Sequence, residues 1–207
     1  SEGIPAAATE AEIRQIRATG GENDSPSRQL ARYIAHVARQ YLQSAGARAA
    51  SFAPMVVFRP DRYLRGGDHT SFNQQGFAAV RFTEFRENYD HQHQNPRTAN
   101  GIEYGDLPKF VDFDYLARVI QLNVATLAAL ASAPAPPRNV RLETKQLVND
   151  STLVWEPSPG GLATGYEVLW RATDASQWQH VEPVGNATRA TLKQSKDNVV
   201  FAVRAVL

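Results

Sequence analysis

The chain has 207 residues with a formal net charge of +1, and 43% of them are apolar and 21% charged. That composition supports a packed core, and the near-neutral balance argues against nucleic acid as a partner, because nucleic-acid binders carry a clear basic excess. No cysteine is present, so disulfides are excluded and any metal centre must draw on His, Asp and Glu.

No run reaches the roughly 18 apolar residues of a bilayer span; the nearest, Leu122 to Ala133, is short and Ala-rich, and no membrane span is expected. The chain opens at Ser1 without Met and closes on Ala205-Val206-Leu207 inside an alternating apolar pattern. Both ends read as interruptions of something longer.

From Ser1 to Gly21 the residues are small and polar, with a short helix expected from Thr9 to Arg17. A strong helix start follows: Ser25 can cap, and Pro26 suits the first helical position, where no N–H is needed. Leu30, Ile34, Val37, Tyr41 and Leu42 recur at helical spacing and predict one buried face until Gly46, with Arg28, Arg32 and Arg39 pointing mostly elsewhere. Met55 to Phe58 is a short apolar run between prolines and reads as a buried strand. Asp68 can cap a short helix ending at Gly76, and Phe77 to Phe82 is again strand-like. Helix, strand, short helix, strand is an α/β rhythm, and such apolar strands suit a parallel sheet covered on both faces.

Thr83 to Phe110 reads as a long loop dense in Asn, Gln, Asp and His, a length that inside a domain is usually functional or disordered. A second long helix is expected from about Asp112, with Leu116, Val119, Ile120, Leu127 and Leu130 on its buried side. The Pro-rich stretch 133–138 reads as a stiff linker between a domain at 1–132 and another at 139–207. Beyond it the grammar changes to short strands at Val140–Leu142, Thr152–Trp155, Tyr166–Trp170, Ala190–Leu192 and Val199–Val206, separated by turn residues. That pattern predicts a β-sandwich. Trp155, Tyr166 and Trp170 read as its core rather than as a carbohydrate platform; His36 and His180 read as structural or surface residues.

The segment Gly67-Asp68-His69-Thr70-Ser71-Phe72, running on to Gly76-Phe77-Ala78-Ala79, resembles the S-D-H-x-x-F-x-x-x-G-x-P-A stretch of the aminopeptidase Y-type zinc exopeptidases. That family follows it with a strand and an N-Y-x-x-x-H-T loop, and here the same place reads Glu87-Asn88-Tyr89-Asp90-His91-Gln92-His93-Gln94. The resemblance covers roughly residues 1–131 and rests on two motifs agreeing in order and spacing. It departs from the pattern at Gln94, where the family carries Thr. The strand Val199-x-Phe201-x-Val203-x-Ala205 and Trp155 resemble fibronectin type III sequences, with Val199 where the usual corner tyrosine stands.

The resemblance implies part of a mostly parallel sheet flanked by helices, with two zinc ions at the carboxyl ends of the strands, the expected place for a ligand in such folds. It implies that one metal-binding His survives here, His93 on the commoner spacing and His91 on the alternative register. The other ligands and the Glu base would belong to a missing N-terminal half of the catalytic domain. Asp68 and His69 would orient groups from behind the metal site, and Tyr63, with Arg65 nearby, could stabilise an oxyanion. The implied activity is hydrolysis of N-terminal residues from peptides in a secreted or periplasmic setting, with this chain inactive alone. Two rivals stand beside it. One is an interaction scaffold built on a degenerate peptidase domain; the other is an unrelated hydrolase or single-metal enzyme using His91, His93 and carboxylates such as Glu84 or Glu87. A serine triad finds no G-x-S-x-G elbow.

Overall fold

The structure is a computed structural model that describes residues 8–18, 24–42, 52–57 and 66–207. Two compact units emerge, Ser1–Leu127 and Ala128–Leu207.

In the first unit, α1 (Glu10–Ala18) begins with a reciprocal cap. Thr9 donates from its backbone N–H and its hydroxyl to Glu12 Oε2, both at 2.8 Å, and its Oγ1 accepts from the Glu12 N–H at 3.3 Å. This is the capping box, in which two helix-end donors are satisfied at once. Helix α2 (Pro26–Val37) starts as expected, with Ser25 Oγ accepting from the Arg28 N–H, and it runs on as a wider π turn over Ala38–Leu42.

The buried face of α2 is Ile34, Ala35, Val37 and Ala38, whereas Tyr41 is 55% exposed. Arg32, expected to point outward, is buried and holds Asp24 at 2.8 Å. A guanidinium can enter a protein interior only with such a partner. Helix α3 (His69–Gln74) closes at Gly76 with two reciprocal bonds, Gly76 N–H to Asn73 O at 3.0 Å and Phe77 N–H to Phe72 O at 3.0 Å. These satisfy carbonyls that a helix end otherwise strands. Asn73 then ties three segments together. Its Oδ1 accepts from Ser27 Oγ at 2.6 Å and its amide donates to His69 O and Ala79 O, while Ser27 Oγ accepts from Ala79 N–H.

The stretch expected to be one long loop contains a hairpin, β1 (Arg97–Ala99) against β2 (Ile102–Tyr104), in register Thr98 with Glu103. Its two-residue turn is Asn100-Gly101, both with positive φ, the dipeptide that best fits such a turn. After a short turn at Pro108–Phe110 comes α4 (Phe113–Ser132), where Asp112 Oδ1 accepts from Tyr115 N–H at 2.9 Å. Of its side chains, Leu122 and Thr126 are buried. Leu116, Ile120, Leu127 and Leu130, expected to be covered, are exposed, Leu127 at 66%. The helical spacing was right, but nothing among the described residues covers that stripe. By length and apolar composition, α4 is the one helix among the described residues that could cross a membrane.

The second unit holds two three-stranded sheets, β3–β4–β7 and β6–β5–β8. The strands are β3 (Arg138–Leu142), β4 (Ser151–Glu156), β5 (Gly165–Ala172), β6 (His180–Gly185), β7 (Arg189–Leu192) and β8 (Val199–Val206), and every pairing is antiparallel. Alternate residues enter the core, which is Leu153, Trp155, Tyr166, Val168 and Leu192, with Trp170, Phe201 and Val203 packed against it. Trp155 meets Tyr166 edge to face at 5.7 Å, and the Tyr166 hydroxyl accepts from the Ser158 N–H at 2.8 Å. His180 is exposed and stacks on Trp170, while His36 is half-buried beside Tyr33. Strand β6 was not anticipated from sequence. Pro183 interrupts it, which an edge strand tolerates because one side of its backbone faces no partner.

The expectation of a mostly parallel, helix-flanked sheet is overturned: the three sheets among the described residues are all antiparallel. The runs at Met55–Val57 and Phe77–Phe82 belong to no strand, and Phe58 lies outside the described residues. A strand is defined by ladder hydrogen bonds to a neighbour. Among the described residues these apolar runs have no such neighbour, so apolarity alone misled the assignment.

Candidate metal-binding loop

The residues from Asn88 to Asp106 are knitted to one another rather than draped. Asn88 starts a turn, its Oδ1 accepting from Asp90 N–H at 3.0 Å and its carbonyl from His91 N–H at 3.2 Å. Such side-chain-to-backbone bonds are why Asn favours turns. Across the loop, Gly105 N–H donates to Asp90 O at 2.9 Å, and His93 N–H donates to Asp106 Oδ2 at 2.8 Å. Gly105 is buried with φ +128, and a Cβ there would come within 2.9 Å of Pro96 Cα. Only glycine fits that approach. Arg97 lies over the Tyr104 ring at 4.0 Å and bonds Gln94 Oε1, fixing the base of the hairpin.

Within this frame the two histidines differ. His91 is half-buried, its ring stacked on Phe110 with centroids 3.5 Å apart and planes 5° from parallel. His93 is exposed, with φ +53, a left-handed conformation uncommon for a residue with a Cβ. Its imidazole has no hydrogen bond or ring contact among the described residues. It is the better placed of the two to offer a nitrogen to something from outside.

Among the described residues no three His, Asp or Glu groups converge as a metal site. The single-metal arrangement of His91, His93, Glu84 and Glu87 is therefore not assembled. Glu87 instead accepts from Thr83 Oγ1 at 2.8 Å and Gln92 Nε2 at 3.3 Å, and Glu84 is exposed. As to fit, an accessible imidazole suits zinc chemically, and a zinc site takes three or four protein ligands, more than the described residues bring together here.

Asp68 and His69 line a separate open depression of about 370 Å³ with Gly67, Val80, Arg81 and Phe82. Asp68 was expected to cap α3 with its carboxylate and does not: it has φ −60 and ψ −26 and makes no side-chain cap bond. A cap needs extended backbone to aim its side chain at the helix end, and Asp68 is already wound into the turn. His69 is half-buried and packed so closely that a Cβ on Gly67 would meet its Nδ1 at 2.9 Å. Arg81, in its lining, donates to Gly66 O at 2.6 Å. Tyr63 and Arg65 lie outside the described residues.

Three features of the loop went unread in the sequence. The Asn100-Gly101 turn was legible as a dipeptide. The Gly105–Pro96 approach and the Asp106 contact to His93 were not, since both join residues distant in sequence.

No protein-family model matches the chain. Curated relatives do. The chain is 49% identical over 97% of its length to a protein of Pyrenophora tritici-repentis named "Probable zinc metalloprotease". It is 48% identical over its whole length to a protein of that name from Pyrenophora teres f. teres, and 46% identical over 99% to one from Pyricularia oryzae. The chain spans 40%, 42% and 40% of those relatives' own lengths. It thus has homologues named as probable zinc metalloproteases along almost all of its sequence, and it corresponds to about two fifths of each.

Proposed function

We propose that this chain is part of a zinc-dependent peptidase and supplies one ligand, His93, to its metal centre. The observation that carries the reading is the His93 imidazole, exposed and unbonded among the described residues, on a loop tied at both sides, in a chain close to half identical to proteins named zinc metalloproteases. Zinc, when bound, supplies Lewis acidity toward a peptide carbonyl and activates water near neutral pH. The chain's own share is to hold and orient the imidazole. His91, with its ring against Phe110, is the second choice and in this reading buttresses the loop.

The finer reading is an aminopeptidase Y-type exopeptidase with two zinc ions, secreted or periplasmic, releasing N-terminal residues from peptides. The Gly67–Gly76 and Asn88–Gln94 motifs support it. Residues 1–132 would belong to the catalytic domain, 133–138 to a linker and 139–207 to a fibronectin type III-like domain. The remaining ligands would come from the rest of the polypeptide, so the 207 residues alone should be inactive. The test is to give the complete polypeptide matched peptides with free and acetylated N-termini. Hydrolysis of the free form alone supports an exopeptidase; equal cleavage within both would leave a zinc peptidase of another kind.

A further inference from the structure

We infer that Asp106 is a positioning residue that presents His93 by fixing the backbone beneath its imidazole; this rests on reading His93 as a zinc ligand. His93 sits at φ +53, where a side-chain-bearing residue stays only if its surroundings hold it. The hold is the Asp106 carboxylate, whose Oδ2 accepts the His93 N–H at 2.8 Å.

Asp106 is anchored in turn by its neighbour. Gly105 is buried against Pro96 and donates to Asp90 O at 2.9 Å. The ties 90 to 105 and 93 to 106 therefore bracket His91, whose stacking on Phe110 adds a third point of attachment. A loop held in this way loses little freedom when its imidazole engages a metal, and that saving appears as affinity. Carboxylates behind metal-bound histidines usually grip the ring N–H. Here the carboxylate grips the main chain, and neither ring nitrogen has a hydrogen-bond partner among the described residues.

The test is zinc affinity of the complete polypeptide by chelator competition, with the absorption spectrum of the cobalt-substituted protein as a second readout. Asp106→Ala removes the acceptor and should lower affinity by about ten- to a hundredfold, the range seen when such supporting partners are lost. Asp106→Asn keeps an acceptor oxygen without the charge, and it should retain most of the affinity and an unaltered cobalt spectrum. His93→Ala separates the two ideas. If it keeps its full zinc complement, the ligand reading fails and this inference with it. If it loses zinc while Asp106→Ala binds as wild type does, only the positioning role is overturned. Should Asp106→Asn be as damaging as Asp106→Ala, Asp106 acts through its charge or as a ligand itself, which also overturns the inference. Should Asp106→Ala fail to fold, the Asp106→Asn result decides alone.

Discussion

His93 and His91 are two residues apart and chemically identical, and what separates them is what each is bound to. A ring stacked face to face on Phe110 gains packing energy, and a ring with no partner among the described residues offers its nitrogens. Phe110→Ala is accordingly expected to loosen the loop through His91, lowering thermal stability while leaving zinc stoichiometry unchanged; calorimetry paired with metal analysis reads both. At the other end of the first unit, the Glu12 carboxyl is held below its usual pKa, chiefly by the Thr9 backbone N–H and then by the Thr9 hydroxyl. A carboxylate whose folded pKa is depressed stabilises above its unfolded value of about 4.3 and loses that contribution as the pH falls through the lowered one. Helix α1 should therefore fray as the pH falls through that lowered value, and Glu12→Gln should flatten the dependence, as backbone amide exchange or NMR shifts would show. The sequence pointed to the H-x-H pair through its motif. It could not rank the two rings, because Phe110 and Asp106 lie 13 or more residues away and are joined to them only by the fold.

Elements succeeded where a local signal was complete and failed where partners decide. Ser25-Pro26 marked the start of α2, and the alternating strands of the second unit were legible because alternation reports a half-buried sheet directly. The runs at Met55–Val57 and Phe77–Phe82 carried apolarity without a ladder partner, so they misled. Helix α4 had the right spacing but an uncovered stripe that includes Leu116, Ile120 and Leu127. Large contiguous apolar surface of this kind drives association. Sedimentation of the 207-residue chain should show concentration-dependent self-association, and Ile120→Gln with Leu127→Gln together should reduce it. A strictly monomeric wild-type chain at the same concentrations would contradict this. At the turn of the hairpin, Asn100→Val should destabilise, since a β-branched residue strongly disfavours the positive φ that Asn tolerates. The expected loss is about 1–3 kcal/mol by urea titration.

At the scale of the whole molecule, the unit Ala128–Leu207 has a contiguous core of its own. Leu153 is 2% exposed at the centre of that core, so Leu153→Ala should cost the unit about 2–5 kcal/mol in denaturant unfolding followed by Trp fluorescence. The chain spans about two fifths of the length of the curated relatives it matches. Sheet type was not legible from short apolar runs, because parallel or antiparallel order is a property of neighbours. The central claim, that His93 ligates zinc, is met most directly by elemental analysis of the complete polypeptide, comparing wild type with His93→Ala and His91→Ala. The expected result is one zinc fewer per chain in His93→Ala and a wild-type count in His91→Ala. An unchanged count in His93→Ala, or a loss confined to His91→Ala, would contradict it.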